Sequence, residues 1–320
     1  MTLTFVARHW DHLLPLALGD VTAEGVDLHF ERRDSTPNIY AEPRIDVAET
    51  SFSQYVQHRA RGDHSVTALP VFVMQGFRHR CIITRSDSPL HSLTQLRGAT
   101  VGLTGWPDSG NTWTRALVRD EGVALEDIDW RVGPLTPAHP AHDRIGPTRP
   151  GPHVQHLDHG DTLVGGLSDK SLDAVMTPFM PPGFDAADSL LRPLLPDVRA
   201  AETAYYLRVG YVPGIHVLAA RTALLDESPD TVLAVVRAIE DSKRLSILRH
   251  NKLADVTPWL VDELRTTERV FGRDWMPYGL EQNRTMISDF LTEHYEQGLL
   301  DTPADVDALF PTDIDAVVAS

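Results

Sequence analysis

The chain has one cysteine, Cys81, among its 320 residues, so no intrachain disulfide can form. That usage fits a reducing compartment. Positive charge is in deficit as well: 29 Lys and Arg stand against 45 Asp and Glu, a formal net charge of −16. So acidic a surface repels phosphate backbones and anionic lipids, which argues against a nucleic-acid partner and against membrane attachment. No apolar run approaches the length needed to cross a bilayer. Met1 runs straight into Thr2-Leu3-Thr4-Phe5-Val6-Ala7-Arg8 with no basic n-region, apolar h-region or small-residue cleavage site, so no secretory signal is read and a cytoplasmic location is expected. P-loop, G-x-G-x-x-G and Ser-His-Asp patterns are missing too. What remains is an ordinary globular composition, 42% hydrophobic and 23% charged, on a chain long enough for two lobes with separate cores. An anionic ligand would need a local positive pocket set against this acidic field.

Thr2 to Arg8 and Val26 to Arg32 alternate apolar and polar residues, and read as a strand pair joined through a turn at Gly25. Ile45 to Ala48 is a short apolar strand. Ser51-Phe52-Ser53-Gln54 then has the capping-box pattern that opens a helix, running to about Arg61. Val66 to Phe72 and His79 to Thr84 read as buried strands. Ser92-Leu93-Thr94-Gln95 is a second capping box, on a short helix stopped by Gly98. Ala99 to Leu103 is a strand, and a helix follows from about Asn111 to Asp120. Asp129 to Val132 and Leu172 to Thr177 are further strands. The Pro-, Gly- and His-rich stretch from Gly133 to Gly160 between them reads as an irregular loop. Ile215 to Ala220 is a buried strand leading to Ser228-Pro229, an N-cap followed by a favourable first-turn proline. The helix beyond carries Val232, Val235, Val236 and Ile239 on one face. The remainder reads as helical, broken at Trp275-Met276-Pro277-Tyr278-Gly279. Strands alternating with helices predict an α/β protein.

Several segments in this order resemble the 4,5-dihydroxyphthalate decarboxylase family, a branch of the type 2 periplasmic-binding-protein-like fold. They include Glu24-Gly25-Val26-Asp27-Leu28, Glu49-Thr50-Ser51-Phe52-Ser53-Gln54-Tyr55 and Arg59-Ala60-Arg61-Gly62-Asp63. Leu69-Pro70-Val71-Phe72 and Phe77-Arg78-His79-Arg80 follow, then Trp113-Thr114-Arg115 and Asp120-Glu121-Gly122-Val123. Ala204-Tyr205-Tyr206, Trp259-Leu260-Val261 and Pro277-Tyr278-Gly279-Leu280 complete the set. The resemblance implies two α/β lobes with a ligand cleft between them, lobe one at about 1–84 plus 212–320 and lobe two at 85–211, with two chain crossings. It implies a cofactor-independent decarboxylase acting on a small anionic aromatic substrate. Two stretches depart from the family pattern: Trp106-Pro107-Asp108-Ser109-Gly110, where a Tyr and then Thr-Ala are usual, and Thr177 to Gly183. Both are expected to line the cleft.

Decarboxylation of a hydroxylated ring needs the leaving carboxylate held out of the ring plane, a hydroxyl to donate electrons and an acid to protonate the ipso carbon. Arginine suits a carboxylate because its planar fork matches it. Histidine suits proton delivery because it titrates near working pH. The candidate acids are His79, in Arg78-His79-Arg80, and His216, where the chain re-enters lobe one. The candidate carboxylate anchors are Arg78 and Arg208. If the strand from His79 is regular, Arg78 and Arg80 share one face and His79 takes the other. Ser51 and Ser53 on one helix, and Ser109, Gly110 and Asn111 on another, open helices whose N–H groups bind anions, although plain capping uses the same residues. Trp10 with Asp11 and His12, and Trp106, are candidates to stack on the ring. Trp113, Trp130 and Trp259 read as core.

His139, His142, His153, His156 and His159 include three H-x-x-H spacings, but a Pro- and Gly-rich loop offers no rigid frame for a metal, and none is expected. Two other functions share the implied fold: a solute-binding protein for an anionic aromatic ligand, and another lyase such as a dehydratase. Missing secretion and lipid-anchor signals favour the enzyme. The oligomeric state is left open, a homodimer included.

Overall fold

The computed structural model of the chain describes residues 1–139, 151, 153–253 and 258–310. In chain order its strands are β1 (Thr2–Arg8), β2 (Asp27–Arg33), β3 (Val47–Ser51), β4 (Val66–Gln75), β5 (Ile82–Arg85), β6 (Thr100–Leu103), β7 (Asp129–Val132), β8 (Val154–His156), β9 (Ala174–Met176), β10 (Leu191–Pro193) and β11 (Gly214–Arg221). The helices are α1 (Leu14–Ala17), α2 (Phe52–Ala60), α3 (Ser109–Asp120), α4 (Leu163–Ser168), α5 (Val198–Val209), α6 (Thr222–Glu227), α7 (Pro229–Leu253), α8 (Leu260–Phe271), α9 (Leu280–Glu296) and α10 (Val306–Leu309).

These elements form two compact units. Unit one holds Met1–Gln75, Gly214–Ser288 and the stretch from Asp305; unit two holds Gly76–Pro213 and Asp289–Ala304. The chain thus leaves unit one after Gln75, not after residue 84, because β5 hydrogen-bonds to β9 and β10 of unit two. It also passes between units at Ser288/Asp289 and Ala304/Asp305 as well as at Gln75/Gly76 and Pro213/Gly214, so the expectation of two crossings is corrected. The reason lies on the second half of α9. Phe290 packs against Trp113 with ring centroids 5.3 Å apart, Arg119 donates to Glu293 (2.7 Å) and Arg115 donates to Gln297 (2.8 Å), all within unit two.

Unit one is built on a five-stranded sheet ordered β2-β1-β3-β11-β4. β1 pairs with β2 in parallel, Thr2 opposite Asp27 through Arg8 opposite Arg33, so the two are not a turn-joined pair; the residues between them, α1 included, carry the chain back. Phe5 and Phe30 stack across that pair at 4.5 Å. β11 runs antiparallel to both β3 and β4. Val232, Val235, Val236 and Ile239 of α7 are fully buried, as their helical spacing predicts, and share one core with Val47, Leu69, Val71, Val73, Leu218 and Ala220. Burying each such side chain stabilises by about 1.5–3 kcal/mol. Ser51 caps α2 by accepting the Gln54 N–H.

Unit two is built on a six-stranded sheet ordered β10-β5-β9-β6-β7-β8. Its core centres on Val101, Leu103, Trp130, Ala174 and Met176. Two local expectations change here. The Ser92–Gln95 capping box closes as designed, but on a 3-10 turn. His79 to Cys81 also form a 3-10 turn, and the strand starts only at Ile82. The face-alternation rule therefore does not apply to Arg78, His79 and Arg80.

Gly102 sits in β6 where a Cβ would come within 2.5 Å of a Leu163 methyl and 2.9 Å of a Leu172 methyl. Gly102→Ala should therefore cost about 1–3 kcal/mol through overpacking, read as a lower urea midpoint with an unchanged slope. An unchanged midpoint would mean that this layer repacks freely.

Candidate functional site

A carboxylate in the middle of an apolar strand is the starting point. Glu49 lies on β3 after Val47 and Ala48 and is fully buried. Its Oε2 accepts the Arg8 backbone N–H (2.7 Å) and the Trp10 indole Nε1–H (2.8 Å). Its Oε1 hydrogen-bonds to Nδ1 of His216 on β11. Burial works to raise the Glu49 pKa. The His216 hydrogen bond and charge, helped by the Arg8 and Trp10 donors, outweigh it and hold the carboxyl below its ordinary value. An ionised carboxylate can only accept, so Nδ1 carries a proton, and Nε2 is the nitrogen left to take or give one.

Strand alternation places this dyad. Val47, Glu49 and Ser51 point one way along β3, and His216, Leu218 and Ala220 along β11. Val47, Leu218 and Ala220 belong to the core that α7 covers, so Glu49 and His216 lie on the same sheet face, toward its edge beyond the core. A pocket of about 680 Å³ opens at that end of unit one, with Trp10, His12, Val73, Met74, Leu248 and Trp275 among its walls. Trp10 touches both: its Nε1 holds Glu49 and its ring lines the pocket. Arg8 lies over the same indole, 5.0 Å from the ring centroid. Met74, also in the wall, is the register partner of His216.

Of the residues singled out in the sequence, Trp10, Asp11, Ser51 and His216 thus gather at this end of unit one. Asp11 lines the pocket, and Ser51 is the cross-strand neighbour of His216. Ser53 is fully buried and accepts from Gln57 Nε2 at 3.0 Å, a contact inside α2.

A second group forms in unit two. The Arg78 guanidinium lies across the first turn of α3, where a Cβ on Gly110 would come within 2.7 Å of Nη2. Arg78 is 3% exposed, and its Nε and Nη2 have no hydrogen-bond partner. Burial pushes its pKa down, with Arg80 adding to the effect and Cys81 and Asp108 opposing it. A guanidinium beside the positive end of a helix is electrostatically unfavourable until an anion joins them. Ser109, Gly110 and Asn111 form that turn; Asn111 gives its amide to Thr104 (3.2 Å) and the Gly105 carbonyl (2.9 Å).

The other candidates fall elsewhere in unit two. His79 is buried, edge-on to Tyr205 at 5.5 Å, and burial with the Arg208 charge lowers its pKa to about 4. Arg208 is an exposed residue of α5 that donates to Asp120 at 2.8 Å and lies over Tyr205. Trp106 is not a stacking platform. It is core, set edge-on to Trp130 and covered by the Arg115 guanidinium at 4.0 Å, because Arg115 is itself fully buried and needs a π-face and the Trp106 carbonyl to replace water. Among the described residues no group of three or more His, Cys, Asp or Glu could hold a metal ion; His142 lies outside them.

Glu49 is the site residue that sequence reading missed. A lone acid in Val47-Ala48-Glu49 was the available signal, since a buried carboxylate must find a partner.

The family model for "ABC transporter, phosphonate, periplasmic substrate-binding protein" matches residues 29–169. A 4,5-dihydroxyphthalate decarboxylase of Comamonas testosteroni is 30% identical over 308 residues, covering 93% of each chain. A second enzyme of that name, from Pseudomonas putida, is 27% identical and covers 66% of this chain and 83% of its own. Among solved structures, the periplasmic aliphatic sulphonate binding protein SsuA of Escherichia coli superposes with a TM-score of 0.58 at 13% identity, covering 98% of this chain and 92% of its own. The desulfurization enzyme DSZB gives 0.55 at 15% identity, with 99% of each chain covered.

Replacing Glu49 by Gln removes the charge but keeps the shape. The variant should lose about 3 kcal/mol at pH 7, as when one partner of a buried pair is lost. The folded-state pKa of Glu49 is depressed, so its contribution is complete above the ordinary value of 4.5 and disappears as pH falls through the lower folded value. Urea unfolding at several pH values should show the gap between wild type and Glu49→Gln closing only below pH 4.5. A gap that is constant with pH would mean that Glu49 is not ionised in the fold.

Proposed function

The chain has the periplasmic-binding-protein fold and belongs to the 4,5-dihydroxyphthalate decarboxylase family, and on that footing we propose that it releases CO₂ from a hydroxylated aromatic dicarboxylate of the 4,5-dihydroxyphthalate kind without a cofactor. The observation that carries this reading is His216, oriented by the buried Glu49, which the pocket-lining Trp10 also holds.

In 4,5-dihydroxyphthalate each carboxylate is para to one ring hydroxyl. That hydroxyl can push electron density onto the carbon bearing the carboxylate. The carbon takes a proton, the bond to the carboxylate breaks, its electron pair restores the aromatic ring, and CO₂ departs. The ring itself carries the charge through the reaction, so the protein has to supply an acid over one carbon and an anchor for the carboxylate that stays.

His216 is the proposed acid. Glu49 fixes its tautomer and stabilises the imidazolium, which leaves Nε2 to deliver the proton. His79 fits the role less well, because with a pKa near 4 it is neutral at pH 7 and it is packed among aromatic rings. Arg78 with the first turn of α3 is the proposed anion site within unit two. Its buried, unpaired N–H groups ask for an anion, whereas Arg208 already has Asp120. An anchor grips substrate and transition state alike, so it governs binding rather than turnover.

Incubation with 4,5-dihydroxyphthalate should release one CO₂ per molecule. His216→Asn should cut kcat by about a hundredfold or more and leave KM nearly unchanged. Arg78→Ala should mainly raise KM. Tight binding of the acid with no CO₂ from the wild type would instead favour a solute-binding role, and full turnover by His216→Asn would pass the acid's role to another group.

A further inference from the structure

His12 follows Asp11 in the turn after β1 and lines the same pocket as Trp10. It is 8% exposed, and its Nε2 is buried with no hydrogen-bond partner. The ring lies alongside the Trp10 indole, 21° from parallel with centroids 6.3 Å apart. Its backbone is pinned. The His12 N–H donates to Asp11 Oδ1 (2.7 Å), the His12 carbonyl accepts from Ser242 of α7 (2.8 Å), and the Asp11 carbonyl accepts from Ser246 of α7 (3.1 Å). The imidazole Nδ1 lies 3.5 Å from Asp11 Oδ1, which favours the proton on Nδ1 and leaves a lone pair on Nε2. His250 is the other imidazole near this carboxylate, 3.9 Å from Asp11 Oδ2. A buried acceptor without a donor is destabilising. A ligand that brings an O–H to it removes that penalty.

We infer that His12 is the base that takes the proton of the ring hydroxyl para to the departing carboxylate. The inference rests on the decarboxylase reading for its reaction, though not for its contact. The two histidines divide the proton traffic. His12 Nε2 removes the hydroxyl proton, and the oxygen's electron pair moves into the ring. His216 gives a proton to the ipso carbon. The carbon–carboxylate bond then breaks, its electrons restore the aromatic ring, CO₂ leaves and His12 returns its proton to the phenolate. The net change is one proton, from His216, for one CO₂, and His216 is reprotonated from solvent. Trp10 joins the two stations, holding Glu49 by its Nε1 and lying beside His12 by its ring. The walls it shares with Val73, Met74, Leu248 and Trp275 suit a flat ring.

Two measurements test this on purified wild type, His12→Gln and His12→Ala, with thermal melts to confirm folding. The first is calorimetric binding of 3,4-dihydroxybenzoate and of benzoate, which needs no turnover. The wild type should prefer the hydroxylated acid by about tenfold, as one hydrogen bond provides, and both variants should lose that preference. The second is kcat on 4,5-dihydroxyphthalate and on its 3,6-difluoro analogue, whose hydroxyls ionise more readily. The variants should lose about a hundredfold on the parent and recover at least tenfold of it on the fluorinated substrate, while the wild type changes little. A hydroxyl preference that survives in both variants, or an equal loss on both substrates, overturns the role. If the wild type releases no CO₂, the decarboxylase reading falls, and the hydroxyl preference still decides whether His12 meets the ring hydroxyl.

Discussion

The ionised carboxylate of Glu49 is the constraint around which unit one is organised. A charge on a fully buried strand residue is affordable only when donors surround it. Here they come from three places: the backbone of Arg8 at the end of β1, the indole of Trp10 just beyond it and the imidazole of His216 on β11. Meeting that demand ties β1, β3 and β11 together at one end of the sheet and fixes the path of the chain into the turn at Asp11. The same contacts orient His216 and set Trp10 in the pocket wall. Structure and chemistry therefore share a cause: the groups that keep Glu49 ionised are those that shape the site.

Unit two has the opposite problem, a buried cation short of partners. Arg78 lies against the first turn of α3, close enough that a Cβ at position 110 would meet its guanidinium at 2.7 Å. Helix N–H groups and guanidinium N–H groups there are all donors, and the nearby Asp108 moderates the Arg78 charge. Arg115, further along α3, solves the same problem internally, with Gln297, the Trp106 carbonyl and the Trp106 ring. The contrast separates an arginine with internal partners from one whose Nε and Nη2 have none. In a chain of net charge −16 the Arg78 charge makes a local positive field that lies out of water, where it is screened least.

A fold of this kind does not dictate chemistry, since sites are grafted onto it. What marks this chain is the pairing of His216 with the buried Glu49, which Trp10 of the pocket wall also holds. His12 stands in that wall with an Nε2 that has no hydrogen-bond partner.

The sequence by itself determined the α/β class, the buried strands at Val66 and Ile215, the α7 face, the Ser51 cap and the Ser92–Gln95 capping box, because periodicity and end-capping are local properties of neighbouring residues. His216, Trp10, Asp11, Arg78 and Gly110 were also legible as candidates from residue type and family-like motifs. Tertiary structure decided the rest. The parallel pairing of β1 with β2, the 3-10 turn at His79 and the return of Asp289–Ala304 to unit two depend on partners distant in the chain. So do the removal of Trp106 to the core and the capture of Arg208 by Asp120. Glu49 and His216 are 167 positions apart, and no local pattern couples them. Only the antiparallel register of β3 and β11 brings them to one face, and only burial there makes the pair obligatory.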